Sequence, residues 1–244
     1  MNNKIRIAIL DDHPAIIEGY QARLRESQFV EVVGSAGNGE AIEAILAKHP
    51  VDVLILDLGV PVSERNLSPY PVLLAIPRLA EMYPSLHVLV ISMHNQLSLI
   101  QAVIEAGARG YILKDDRAFM HDLPAIIETV AHGGSYFSRQ AYEALFRPRT
   151  NSPALTQRQL QALSLCAAYP EESTMELAGR LGVASSTMRN LLSSAYIVLQ
   201  VHSRVAAVAR AQQLGYIQPI DKSIDLRVLG GNNTEPDDDK TEGL

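Results

Sequence analysis

The chain has 244 residues, enough for one large domain or two small ones, and 47% hydrophobic with 20% charged residues suits an ordinary globular protein. A single cysteine, Cys166, excludes an internal disulfide, and no apolar run approaches the roughly 20 residues that cross a bilayer. The formal net charge of −6 argues against bulk, nonspecific affinity for nucleic acid. That charge is uneven: 13 Lys+Arg face 17 Asp+Glu over 1–150, 5 face 3 over 151–218, and 3 face 7 over 219–244. Only the middle segment is positive. The opening MNNKIRIAIL reaches Asp11 and Asp12 before a secretory core could develop, so the cytoplasm is the expected compartment, with no membrane association.

In chain order, apolar and mostly β-branched runs at 4–10, 30–35, 51–56, 87–91 and 110–113 predict buried parallel strands. Between and after them, 15–26, 40–48, 71–83, 97–106 and 122–132 carry apolar residues at helical spacing. Five successive β-α units imply an α/β fold, a five-stranded doubly wound parallel sheet with helices on both faces. Gly133 and Gly134, a short helix at 139–146 and RPRTNSPA at 147–154 read as a linker stiffened by proline. The pattern is wholly helical from Thr156, with helices at 156–168, 174–181, 186–199 and 204–214 and Gly182 in a turn. Residues 220–244, with Gly230, Gly231 and EPDDDK, read as a disordered acidic tail. The expected division is 1–134, a helical linker at 135–154, a separate all-α four-helix domain at 155–218, and the tail at 219–244.

In open parallel sheets ligands bind beyond the carboxyl ends of the strands. There the chain places Asp11 and Asp12 after the first strand, Asp57 after the third, Ser92 after the fourth and Lys114 after the fifth. Converging carboxylates repel each other, and a divalent cation holds them ionised; hard oxygen ligands suit Mg²⁺, which also binds phosphate oxygens. One carboxylate can then attack a phosphoryl group, while a lysine and a hydroxyl at the same edge contact it. Singly, each residue has a plainer explanation. Asp11 and Asp12 suit a helix cap and its solvated neighbour, Asp57 a strand-end turn, Ser92 a satisfied loop hydroxyl, Lys114 a solvated cation and Tyr111 the core. Their joint placement favours a pocket.

LDDHP, LDLGVP, VISMH and GYILKDD, in this order, resemble the receiver domain of two-component response regulators over about residues 4–132. The resemblance implies a flavodoxin-like receiver in which Asp57 accepts a phosphoryl group from a sensor histidine kinase. It implies Asp12 as a direct Mg²⁺ ligand, Asp11 as a water-mediated one, and Asp57 with the backbone carbonyl of Gly59 as the rest of the protein ligands. Ser92 and Lys114 would contact the phosphoryl group, and Tyr111 would be an aromatic switch that rotates inward with Ser92. His13 has no catalytic role in this scheme and reads as a helix-start residue. His94 is expected to border the path of attacking water. The segment VSERNLSPYPV after Pro61 is longer than the family's glycine-containing loop and borders the site.

LTQRQLQALSLCAA, MELAGRLGVASSTMRNLLSSAYIVL and VHSRVAAVARAQQLGYI resemble the LuxR-type helix-turn-helix of the NarL/FixJ response regulators. The resemblance implies a recognition helix at 186–199 whose face with Ser185, Ser186, Thr187, Arg189, Asn190 and Ser193 meets DNA. Arg189 suits a guanine edge or a phosphate, and Asn190 an adenine edge or a phosphate. Met188, Leu191 or Leu192, and Val198 would pack inward. Departures from the family pattern are Gln159 for glutamate, Ala184 at the N-cap position with Ser185 a possible substitute, and Ile197-Val198 for a basic pair. The acidic loop AYPEES is also longer than usual. Few cations release few counterions, so a homodimer on two half-sites would compensate.

Three functions follow as expectations. The first is a phosphorylation-dependent transcription regulator and not an enzyme. Its phosphorylation changes the face of the fourth helix, fifth strand and fifth helix, and the receiver then dimerises or releases the helical domain. The second is a phospho-switched regulator whose helical domain binds a protein partner instead of DNA. The third is a metal-dependent phosphatase, which turnover of added phosphate esters would reveal.

Overall fold

The computed structural model describes residues 4–116, 118–146 and 155–219. Strands β1 (Ile5–Leu10), β2 (Val30–Ala36), β3 (Val53–Leu56), β4 (His87–Ser92), β5 (Gly110–Leu113) and β6 (Tyr136–Phe137) form one sheet. Every pairing is parallel, in the order β2-β1-β3-β4-β5-β6. The central strands are apolar on both sides because both are covered: Ile7, Ile9, Val53 and Ile55 face one core, Ala8, Leu10, Leu54 and Leu56 the other. Helices α1 (Pro14–Arg25) and α5 (Phe119–Ala131) close the first core. Helices α2 (Gly39–Lys48), α3 (Val72–Met82) and α4 (Leu97–Glu105) close the second. The strand order reverses at β1 and β3, which opens a crevice at their carboxyl ends.

The sheet has six strands where the sequence suggests five. Strand β6 is two half-buried residues, too short for an apolar run to announce it. It can pair with β5 because residue 110 is glycine; a Cβ there would sit 2.5 Å from the Tyr136 carbonyl oxygen. Helix α5 begins at Phe119, ahead of the expected 122, because Phe119 is buried against the Tyr20 ring with centroids 6.4 Å apart. Helix α6 (Arg139–Phe146) follows β6 and packs on α4 and β5.

The second part comprises α7 (Gln157–Ala168), α8 (Thr174–Leu181), α9 (Ser185–Leu199) and α10 (Arg204–Gln213). Capping boxes open α7, through Thr156 and Gln159, and α8, through Ser173 and Glu176. Gln159 thus fills the role expected of glutamate, without bringing a charge into a buried position. Gly182, at φ +70°, ends α8 in the left-handed conformation that glycine adopts without strain. Ser185 does not cap α9. The chain already turns from extended to helical at Ala184, so Ser185 is the first helical residue and no side chain caps the helix. Met188, Leu192, Ala195 and Leu199 form the buried stripe of α9, with Leu191 and Val198 packed half-buried beside it.

The helical part shares a single apolar core with the α2–α4 side of the sheet. Every residue of α7 from Gln159 to Ala168 is buried, because α8, α9 and α10 cover one side and α3 and α4 the other. The long segment after Pro61 is a small hairpin: Pro61 pairs with Pro69, Val62 N–H donates to Ser68 O at 2.9 Å, and Tyr70 N–H to Val60 O at 2.9 Å. It grips the start of α2 through Gly39 N–H to Pro61 O at 3.0 Å and Glu40 N–H to Val62 O at 2.9 Å. The Tyr70 ring covers Gly39 so closely that a Cβ there would lie 2.0 Å from it. The linker residues 147–154 and the expected acidic tail from 220 lie outside the described residues.

Candidate acidic pocket and exposed helix face

Backbone hydrogen bonds fix both buried aspartates at the crevice: Asp11 N–H donates to Ala36 O at 3.1 Å and Asp57 N–H to Leu10 O at 2.8 Å. Lys114, tied by its own N–H to Ser92 O at 3.0 Å, reaches across from the end of β5. Its Nζ lies 2.7 Å from Asp11 Oδ2 and 2.7 Å from Asp57 Oδ2. Carboxylate oxygens of Asp11, Asp12 and Asp57 and a ring nitrogen of His13 all fall within 4.8 Å of one another. His13 Nδ1 is 2.6 Å from Asp12 Oδ1 but off the hydrogen-bonding direction, so that buried oxygen accepts no hydrogen bond among the described residues. The Ser92 hydroxyl is likewise buried without a partner among the described residues. A Cβ at Gly59 would lie 3.7 Å from Asp57 Oδ2, so residue 59 borders the carboxylate.

Burial pushes the Asp11 carboxyl above the ordinary carboxylate range; the nearby Asp57 adds to this, and Lys114 opposes it. For Lys114, burial acts against its charge, but the two carboxylates outweigh it and hold the ammonium above its usual value. Tyr111 is fully buried and donates its hydroxyl to the backbone carbonyl of His94 at 2.6 Å. The ring expected to rotate inward is therefore already inside, and burial together with the Asp57 charge raises its pKa.

The pocket brings together Asp11, Asp12, Asp57, Gly59, Ser92 and Lys114. It also gathers His13, which sequence reasoning set aside as a helix-start residue. His13 is indeed the N-cap of α1, without a side-chain cap bond.

On α9, Ser186, Thr187, Arg189, Asn190 and Ser193 are exposed and Ser185 is half-buried. They lie opposite the buried stripe, and α9 itself packs on α7, α8 and α10. Arg189 Nε touches its own helix at Ser185 O, 3.3 Å away. Two other cations of this part are engaged within it. Arg180 grips Glu172 through Nε at 2.8 Å and Nη2 at 2.6 Å and stacks 3.6 Å over the Tyr169 ring. Arg204 donates to the carbonyls of Glu172 and Pro170, each at 2.6 Å. The acidic AYPEES loop is thus knitted to the domain by its arginines.

Residues that sequence reasoning missed hold the two parts together. Asn66 Nδ2 donates to Ala168 O at 2.9 Å, Gln157 Nε2 to Ala102 O at 3.0 Å and Gln161 Nε2 to Leu73 O at 3.3 Å. Gln218 Nε2 donates to Tyr70 O, and Ser98 Oγ to Gly215 O at 2.7 Å. One signal was available. Pro77 inside α3 has no N–H for the carbonyl of Leu73 four residues earlier, and the Gln161 amide takes that carbonyl.

An open parallel sheet with paired carboxylates and a lysine at its crevice, followed by a helix-turn-helix, defines a receiver joined to an output domain. The response regulator receiver domain family matches residues 7–123. The transcriptional regulatory protein MctR of Rhizobium johnstonii is 34% identical over 186 residues, covering 75% of this chain and 82% of the relative. The probable transcriptional regulatory protein NarL of Mycobacterium tuberculosis is 31% identical over 215 residues, 86% of this chain and 94% of the relative. RcsB of Salmonella enterica serovar Typhimurium, solved on the promoter rprA with phosphomimetic BeF3⁻, shares the fold at TM-score 0.60 and 23% identity over 85% of this chain and 98% of RcsB. The chain belongs to the response regulators of the NarL/FixJ type.

Proposed function

We propose that the chain is a phosphorylation-dependent transcription regulator that accepts a phosphoryl group on Asp57 and binds DNA through α9. Residues 1–134 act as receiver, extended by β6 and α6 from the expected linker 135–154, and 155–218 act as output domain, in the cytoplasm. The observation that carries this reading is Lys114 Nζ held 2.7 Å from both Asp11 and Asp57 beside the partnerless Ser92 hydroxyl.

The donor set fits Mg²⁺: three carboxylates with one lysine, and an Asp12 oxygen buried without a hydrogen bond. Asp11, Asp12, Asp57 and the Gly59 carbonyl would hold the ion, which when bound neutralises charge on phosphoryl oxygens. Asp57 attacks the phosphorus of a phosphohistidine on the sensor kinase. A P–O bond forms at Asp57, the P–N bond breaks, and the departing imidazole takes a proton. Lys114 follows the new charge from the carboxylate to a phosphoryl oxygen. Ser92 donates its unused hydroxyl proton to a second phosphoryl oxygen. Its movement reaches His94, whose carbonyl holds Tyr111, and through them the start of α4. Of the expected signalling face, α4 and β5 are covered by α6 and α7, which leaves α5 as the part of it open to a phosphorylated homodimer. No external substrate is turned over.

A specific observation favours a second reading, a protein partner for the output domain. Arg180 and Arg204 are engaged internally, and Ile197 is 78% exposed where the family has basic charge. Gel shifts with genomic fragments, comparing wild type with Arg189→Ala, separate the two. Binding that falls with Arg189→Ala and with salt supports DNA readout; binding indifferent to Arg189 supports the protein-partner reading.

A further inference from the structure

Helix α7 presents Gln157, Gln161, Ser164 and Ala168 along one side, at spacings of four, three and four residues. Gln157, Gln161 and the carbonyl of Ala168 all bond the receiver, to α4, to α3 and to the Asn66 side chain of the hairpin. Serine and alanine let the helix approach closely. Beyond α10, Gly215 at φ +68° meets the loop before α4; a Cβ there would lie 2.6 Å from Gln96 Cβ, and Ser98 Oγ bonds the carbonyls of Leu214 and Gly215. Gln218 then closes onto Tyr70.

Most of these contacts are amide or hydroxyl donors on backbone carbonyls, seated on one continuous apolar core, and Gln157 Nε2 also meets the Glu105 carboxylate at 3.1 Å. Among the described residues no ion pair joins the receiver to the helical part. A clamp made mainly of neutral hydrogen bonds and apolar packing is loosened less by ionic strength than one made of ion pairs. The clamp also leaves the α9 face of Ser186, Thr187, Arg189, Asn190 and Ser193 uncovered. A domain held back from DNA by its receiver would have that face buried.

We infer that the helical domain reads DNA while still docked on the receiver, so that phosphorylation controls binding by pairing two chains and not by freeing α9. This deepens the phospho-switch reading and rests on it for the trigger alone; the docking stands on the unphosphorylated structure. The inserted hairpin and the glutamines of α7 are the residues that set this mode.

The test uses the full chain with Cys166→Ala, spin labels on Glu18→Cys in α1 and Ser194→Cys in α9, and dilution with unlabelled chain. Electron–electron distance measurement is made on the free chain, with Mg²⁺ and beryllofluoride, and with a genomic fragment selected by the wild type. One narrow distance common to all three, unchanged at high salt, is the expected result. A broad distance in the free chain, or a new population on adding beryllofluoride or DNA, overturns the inference. Fluorine NMR of the same samples reports whether beryllofluoride is bound. Its failure to bind rejects the phospho-switch, while the distances still decide the docking. Ser98→Arg, which wedges α4 away from Gly215, serves as the undocked control. Its unphosphorylated form is expected to bind DNA no better than wild type; a gain on the order of tenfold or more would mean that docking is inhibitory.

Discussion

Truncating Gln161 to alanine probes the joint between the two parts through a single carbonyl. In α3 the Leu73 carbonyl lacks its usual helical donor because Pro77 has no N–H, and Gln161 Nε2 supplies one at 3.3 Å. Gln161→Ala strands that buried acceptor, at about 1–3 kcal/mol, and also removes the Oε1 that accepts from Arg158 Nη1 at 3.1 Å. A total loss of about 2–4 kcal/mol follows once the small cavity is included. Pro77→Ala restores the internal N–H, so in that background Leu73 no longer depends on Gln161. The same truncation should then be milder by about 1–2 kcal/mol, a coupling that a double-mutant cycle isolates. Urea unfolding of the four proteins, followed by circular dichroism, measures it; α7 belongs to the shared core, so a single transition is expected. Effects that add within about 0.5 kcal/mol would refute the pairing of proline vacancy and glutamine.

Three further outcomes are expected. Ala184→Ser gives α9 the side-chain cap it lacks and raises stability by about 1 kcal/mol, read as a higher midpoint of unfolding; an unchanged midpoint would mean that the exposed amides of the first turn need no such partner. Gly39→Ala drives a Cβ into the Tyr70 ring and should lose about 1–3 kcal/mol while increasing amide exchange in the 60–70 hairpin; wild-type exchange there would contradict the close packing. The Arg6 guanidinium holds the Asp52 carboxyl below its ordinary 3.8, so this pair stabilises the fold above that pH and loses its effect as pH falls through the lowered value. Asp52→Asn should therefore lower stability at neutral pH and flatten its fall below about pH 4; parallel pH profiles for both proteins would argue against the linkage.

Most of the pocket was legible because Asp11, Asp57, Ser92 and Lys114 each stand at the end of an apolar strand, and a polar group in that place has few structural uses. Asp11, Asp57, Ser92 and Lys114 are where strand-end reasoning puts them. The five longer strands were equally plain, since burial on both faces leaves unbroken β-branched runs. Strand β6 was not, because pairing over two residues leaves no periodicity to detect. The docking side of α7 was hidden for another reason. Glutamine, serine and alanine look like a solvated face, and only packing on α3 and α4, where Gln161 and Gln157 bond backbone carbonyls, makes it interior. The insertion after Pro61 stood out in the sequence, yet its hold on Ala168 through Asn66 depends on a fold of the whole chain. For Ser185, sequence preference pointed to a cap, but the backbone enters the helix one residue sooner.

The central claim is that Asp57 carries the phosphoryl group, and trapping the acyl phosphate tests it directly. The chain is incubated with acetyl phosphate and Mg²⁺, reduced with borohydride, digested and sequenced by mass spectrometry. Conversion of residue 57 alone to homoserine, absent without Mg²⁺, is the predicted result. Conversion at Asp11 or Asp12, or an unmodified residue 57 in folded protein, would contradict the account.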